Sequence, residues 1–113
     1  MLVLAAMAAP AAAHGILLAS TPKAGETVPL GLRVLDLRFN ARIEPRLSKL
    51  RLDGPSEQDV PLREEPAASA YPGRLAATPP PLEPGIYTVR WQILTGDGHL
   101  SRGRFSFQVG GRQ

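Results

Sequence analysis

The chain of 113 residues contains no cysteine. That removes any disulfide framework and every thiolate metal site. Aromatic residues make up only 5% of it, with a single tryptophan, too few for a broad stacking surface on sugar rings or bases. Its only methionines, Met1 and Met7, fall within the first thirteen residues. No apolar run approaches the ~20 residues a membrane-spanning helix needs. There is no glycine-rich phosphate loop, and no serine lies in a nucleophile-elbow pattern. Glu64 and Glu65 sit in a polar, proline-bounded stretch and read as solvated rather than as a catalytic carboxylate pair. Nowhere do apolar residues recur at helical spacing over eleven residues, which excludes an architecture of amphipathic helices.

What is present begins with MLVLAAMAAPAAA, an uncharged apolar stretch ending in three alanines. It reads as the apolar and cleavage regions of a secretory signal, although no Lys or Arg precedes it. Residues 1–13 are therefore expected to be removed and residues 14–113 to form one domain, large enough to bury a core without staples. The formal charge is +3. The excess is arginine spread from Arg33 to Arg112, alternating with apolar residues as on a solvated sheet face. A nucleic-acid site would want these cations clustered and interleaved with aromatics, so no nucleic-acid partner is expected.

Period two dominates. Leu35, Leu37 and Phe39 alternate with Asp36 and Arg38; Leu50 and Leu52 with Lys49 and Arg51. Tyr87, Val89, Trp91 and Ile93 alternate with Thr88, Arg90 and Gln92, and Phe105, Phe107 and Val109 with Arg104, Ser106 and Gln108. Each run is a half-buried strand, and a first strand is placed at 16–20. Pro22, Gly25, Asp53-Gly54-Pro55, Pro79-Pro80-Pro81 and Asp97-Gly98 punctuate them. Residues 63–73 read as loop with a short irregular strand. The fold class is all-β, a sandwich or small barrel, with Trp91 in its core.

Two histidines carry the chemistry. His14, as a first residue after cleavage, offers an α-amine and an imidazole to one metal, and the amine's ordinary pKa near 8 lets a metal displace its proton. His99 follows Asp97 by two positions in Thr95-Gly96-Asp97-Gly98-His99. On an extended stretch these two point to one side, and Gly98 leaves the space between them clear. Together the residues make a set of three nitrogens and one oxygen, suited to Cu(II) in tetragonal geometry. Zn(II) could use the same donors but stands below Cu(II) in affinity. Cu(I), which wants sulfur, finds none after residue 13.

In ordered pieces the chain resembles the CopC family of periplasmic copper-resistance proteins. His14 followed by Ser20-Thr21-Pro22-Lys23-Ala24-Gly25 is similar to the family's opening. Leu35-Asp36-Leu37-Arg38-Phe39 resembles its V-x-L-x-F strand, and Pro84-Gly85-Ile86-Tyr87-Thr88-Val89-Arg90-Trp91 its G-x-Y-x-V-x-W segment. Asp97-Gly98-His99, then Gly103-Arg104-Phe105-Ser106-Phe107-Gln108-Val109, resembles its close. The resemblance implies an Ig-like Greek-key β-sandwich of about seven strands and one Cu(II) per chain, held by His14, Asp97 and His99. It further implies a monomeric periplasmic binder without membrane insertion, serving resistance, sequestration or delivery to an inner-membrane CopD-like transporter, and not an enzyme. Two departures stand out: Ala41 occupies a place where some members carry Glu, and the methionine-rich Cu(I) loop of others is missing. The competing readings are a histidine-brace copper monooxygenase and a metal-free Ig-like module.

Overall fold

In the computed structural model, residues 16–32, 34–65 and 72–110 are described. They form nine strands: β1 (Leu17–Thr21), β2 (Thr27–Val28), β3 (Leu35–Phe39), β4 (Lys49–Asp53), β5 (Asp59–Val60), β6 (Arg63–Glu64), β7 (Arg74–Thr78), β8 (Gly85–Leu94) and β9 (Leu100–Val109), with one 3₁₀ turn at Pro45–Leu47. One sheet has the order β1-β3-β7-β6, the other β2-β9-β8-β4-β5. The chain changes sheet between β1 and β2, β2 and β3, β3 and β4, β5 and β6, and β7 and β8, as in a Greek-key sandwich. All pairs are antiparallel except β2 with β9.

The period-two runs produce this arrangement directly. Leu35, Leu37 and Phe39 turn inward from the first sheet, and Leu52, Tyr87, Val89, Ile93, Phe107 and Val109 from the second, all buried. Each large aliphatic side chain so buried contributes about 1.5–3 kcal/mol. Tyr87 stacks on Phe107, its cross-strand partner, at 5.8 Å and 18°. Its hydroxyl donates to the Glu83 carbonyl at 2.7 Å, a tether of the tyrosine-corner kind, and burial pushes the phenol above its ordinary pKa.

Six of the nine strands have five residues or more, and β2, β5 and β6 are only two residues long. β7 has no counterpart among the sequence-derived strands. Its Leu75, Ala76 and Ala77 are all buried, so the alternation that betrays a half-exposed strand is absent. The unpredictable stretch at 63–73 contains β6, while residues 66–71 lie outside the described residues.

Trp91 is half-buried against the core rather than enclosed by it. Its ring meets Phe39 of the opposite sheet edge-on, with centroids 4.9 Å apart at 68°. On its own sheet it lies over Gly103, where a Cβ would fall 2.5 Å from the indole. Gly103→Val should therefore push the ring off its seat. The expected result is a red-shifted tryptophan emission and a loss of about 1–3 kcal/mol in urea unfolding, the usual range for overpacking.

Candidate metal centre

The β8–β9 ladder runs without a break from Gly85 opposite Val109 to Leu94 opposite Leu100. Beyond it the Thr95 N–H donates to the His99 carbonyl at 2.8 Å, and the Gly98 N–H to the Thr95 carbonyl at 2.9 Å. Gly96, Asp97 and Gly98 thus form a three-residue hairpin loop, a length that calls for a left-handed residue at its last position. Gly98 supplies it at φ +94°, with open space around the position a Cβ would take. The need for glycine here is conformational, not steric crowding by neighbours.

Asp97 and His99 consequently sit on a turn, not on the extended stretch inferred from their spacing. They meet all the same, because the left-handed Gly98 folds the chain back. The His99 Nδ1 lies 3.0 Å from the Asp97 Oδ1. Beneath them is the buried Thr95. Its hydroxyl donates to the same Asp97 Oδ1 at 2.5 Å and accepts the His99 N–H at 3.0 Å. One hydroxyl therefore fixes both the carboxylate and the backbone of the histidine. The two side chains remain open, 47% exposed for Asp97 and 65% for His99.

A second chain segment braces this loop. Ile43 bridges Thr95, the Gly96 N–H donates to the Arg42 carbonyl at 2.8 Å, and the Glu44 N–H to the Leu94 carbonyl at 2.8 Å. Three residues earlier in the same segment Asn40 grips Ile16 from both sides. Its side-chain Oδ1 accepts the Ile16 N–H at 2.9 Å, and its own N–H donates to the Ile16 carbonyl at 3.0 Å. Ala41, half-buried, lies between these attachments and offers no donor.

Of the residues singled out from sequence, Asp97 and His99 are in contact, and His14 lies outside the described residues. Among the described residues no group of three or more His, Cys, Asp or Glu could hold a metal. Sequence reasoning missed two supporting residues, Thr95 and Asn40. A hydroxyl residue just before a tight turn is a recognisable local signal. Asn40 had none, since its partner is 24 positions away. Thr95→Val should leave the His99 N–H and Asp97 without their shared partner, costing about 1–3 kcal/mol in urea unfolding, while Thr95→Ser should stay close to wild type.

Comparison with known proteins follows the same outline. The CopC domain model matches residues 17–110. The protein YobA of Escherichia coli K12 is 29% identical over 101 residues, covering 86% of this chain and 79% of YobA. Among solved structures, CopC from Methylosinus trichosporium OB3b superposes with a TM-score of 0.78 at 25% identity, over 88% of this chain and 97% of that one. PcoC, a methionine-rich copper resistance protein from Escherichia coli, gives 0.75 at 26% identity, over 87% and 100%. No helix among the described residues is long and apolar enough to cross a membrane. With four-fifths of its length matched by the domain model and both sheets reproduced in the solved relatives, the chain belongs to the CopC family.

Proposed function

We propose that this protein is an exported, periplasmic Cu(II) carrier. It binds one ion through the α-amine and imidazole of His14, the carboxylate of Asp97 and the imidazole of His99. The observation that carries the reading is the Asp97–His99 pair, held ready on a braced turn. In the tautomer that donates Nδ1–H to Asp97, the metal-binding lone pair of His99 is on Nε2.

The brace supports bringing in His14. Asn40 anchors Ile16, and Arg42, two residues on, anchors Gly96 beside Asp97. His14 precedes Ile16 by two residues, a reach of about 7 Å in extended chain. A terminus tied down at Ile16 therefore leaves the body of the fold on the same Asn40–Arg42 segment that braces the loop. Three nitrogens and one oxygen favour Cu(II) over the other divalent ions. Unlike the methionine-rich PcoC, this chain has no methionine after Met7, so a separate Cu(I) site is not part of the reading. Exposed ligands on a hairpin tip suit a cargo that is taken up and handed on to a membrane copper transporter.

Titration calorimetry on protein beginning at His14 should give one Cu(II) per chain, bound more tightly than Zn(II). His99→Ala should weaken binding by at least about tenfold. Thr95→Val should do so by about 10–100-fold, the range for loss of a group that orients a ligand. Equal affinity in protein whose His14 amine is acetylated or still joined to residues 1–13 would remove the amine from the donor set. Unchanged affinity in both His99→Ala and Asp97→Ala would overturn the reading.

A further inference from the structure

Outward-pointing side chains of β4, β8 and β9 gather cations in two adjacent rows, beyond which the same face carries Asp53 beside Asp59. Backbone pairing sets Arg51 opposite Arg90 and Arg90 opposite Arg104; in the next row Lys49 faces Gln92 and Gln92 faces Arg102. Five cations thus surround a cleft of about 470 Å³ on one sheet face. The rows are about 7 Å apart along the strands, with about 4.8 Å between neighbours across them. In sequence these residues are scattered from 49 to 104, and only the register brings them together.

Like charges directly opposed across strands destabilise a sheet. In two places, one of them within this face, the chain relieves them with a diagonal carboxylate. Arg74 stands opposite Arg38 and is held by Asp36 through two hydrogen bonds of 3.0 and 2.6 Å. Arg90 is held likewise by Asp53, at 2.7 and 3.1 Å. Among the described residues no carboxylate is bonded to Lys49, Arg51, Arg102 or Arg104. Packing does not demand cations there: one row further on, Thr88 and Ser106 fill equivalent positions and hydrogen-bond each other at 3.1 Å.

The arrangement also says what kind of surface it meets. Protein–protein interfaces centre on apolar and aromatic side chains, with Arg the one cation enriched and Lys depleted. Here the cations occupy the centre of the face, and the exposed apolar side chains, Leu100 at 54% and Ile86 at 58% exposure, lie at its two ends. Guanidinium groups match phosphate oxygens two at a time. We propose that this face docks on an anionic phospholipid surface, the cations meeting headgroup phosphates and Leu100 reaching the acyl boundary. Leu100 adjoins His99, so the hairpin tip lies at the rim of the contact. This inference stands on the sheet face and does not depend on the metal reading.

Sedimentation of the purified protein with vesicles at low salt tests it. The protein should pellet with phosphatidylcholine vesicles that carry phosphatidylglycerol, and not with phosphatidylcholine alone. Raising the salt should release it, a readout that needs no variant. The doubly substituted Arg102→Gln/Arg104→Gln should bind about tenfold or more weakly, and its Tm should rise because a row of like charges has been thinned. Equal binding to both vesicle types, or unchanged binding in the double variant, would overturn the proposal. So would failure to bind vesicles with capture by polyglutamate instead, which would make the face a docking site for an acidic protein.

Discussion

The ten-pair antiparallel ladder between β8 and β9 is the constraint on which the rest of the molecule depends. Because successive side chains alternate faces, one register settles three things together. It turns Tyr87, Val89, Ile93, Phe107 and Val109 into the core. It turns Arg90, Arg102 and Arg104 outward onto one face. It also decides that Thr95 and His99 close a three-residue loop, which puts Asp97 against His99. A slip by one residue would bury the arginines and expose the aromatics, so the hydrophobic energy of the core also guards the geometry of the tip. Gly103 belongs to the same constraint, because only a residue without a side chain admits Trp91 opposite it.

A long hairpin would leave its tip to fray, and the segment from Phe39 to Glu44 prevents this. It leaves β3 in one sheet, receives Ile16 at Asn40, and then bonds to Leu94, Thr95 and Gly96 on the way to β4. It therefore ties the start of the described chain, the first sheet and the tip of the second into one corner. The edge contact between Phe39 and Trp91 continues that link into the core. Residues far apart in sequence thus share a single rigid bracket, built almost wholly from backbone hydrogen bonds that any side chain would permit.

That reliance on backbone explains which features were legible in the sequence. Leu35 to Phe39, Tyr87 to Ile93 and Phe105 to Val109 announce themselves because each faces core on one side and water on the other. β7 does not, since Leu75, Ala76 and Ala77 are buried in succession and alanine has little preference for strand. Asp97 and His99 could be paired from their spacing, though the conformation behind the pairing is a turn and not an extended strand. Thr95 was visible as a residue but not as the donor that orients Asp97. The bracket at Asn40 and Arg42 was invisible, because its partners are distant and its contacts are largely main-chain. The gathering of Lys49, Arg51, Arg90, Arg102 and Arg104 was invisible for a related reason. Each alone reads as a solvated position, and clustering exists only once three strands are in register.

For the proposed carrier role, the openness of the tip is the informative property. An affinity built by burying charged ligands would make release slow, since the ion would have to leave through packed protein. Here the order comes from below: the Thr95 hydroxyl, the left-handed Gly98 and the Arg42 carbonyl fix the loop from its protein side. Asp97 and His99 keep about half or more of their surface toward solvent. Such a site is preorganised without being enclosed. If it holds the ion as proposed, an incoming ligand from a second protein would be able to approach before Asp97 and His99 let go. On the proposed reading, the same rigidity that holds Asp97 and His99 together would leave their solvent-facing side open to an incoming ligand.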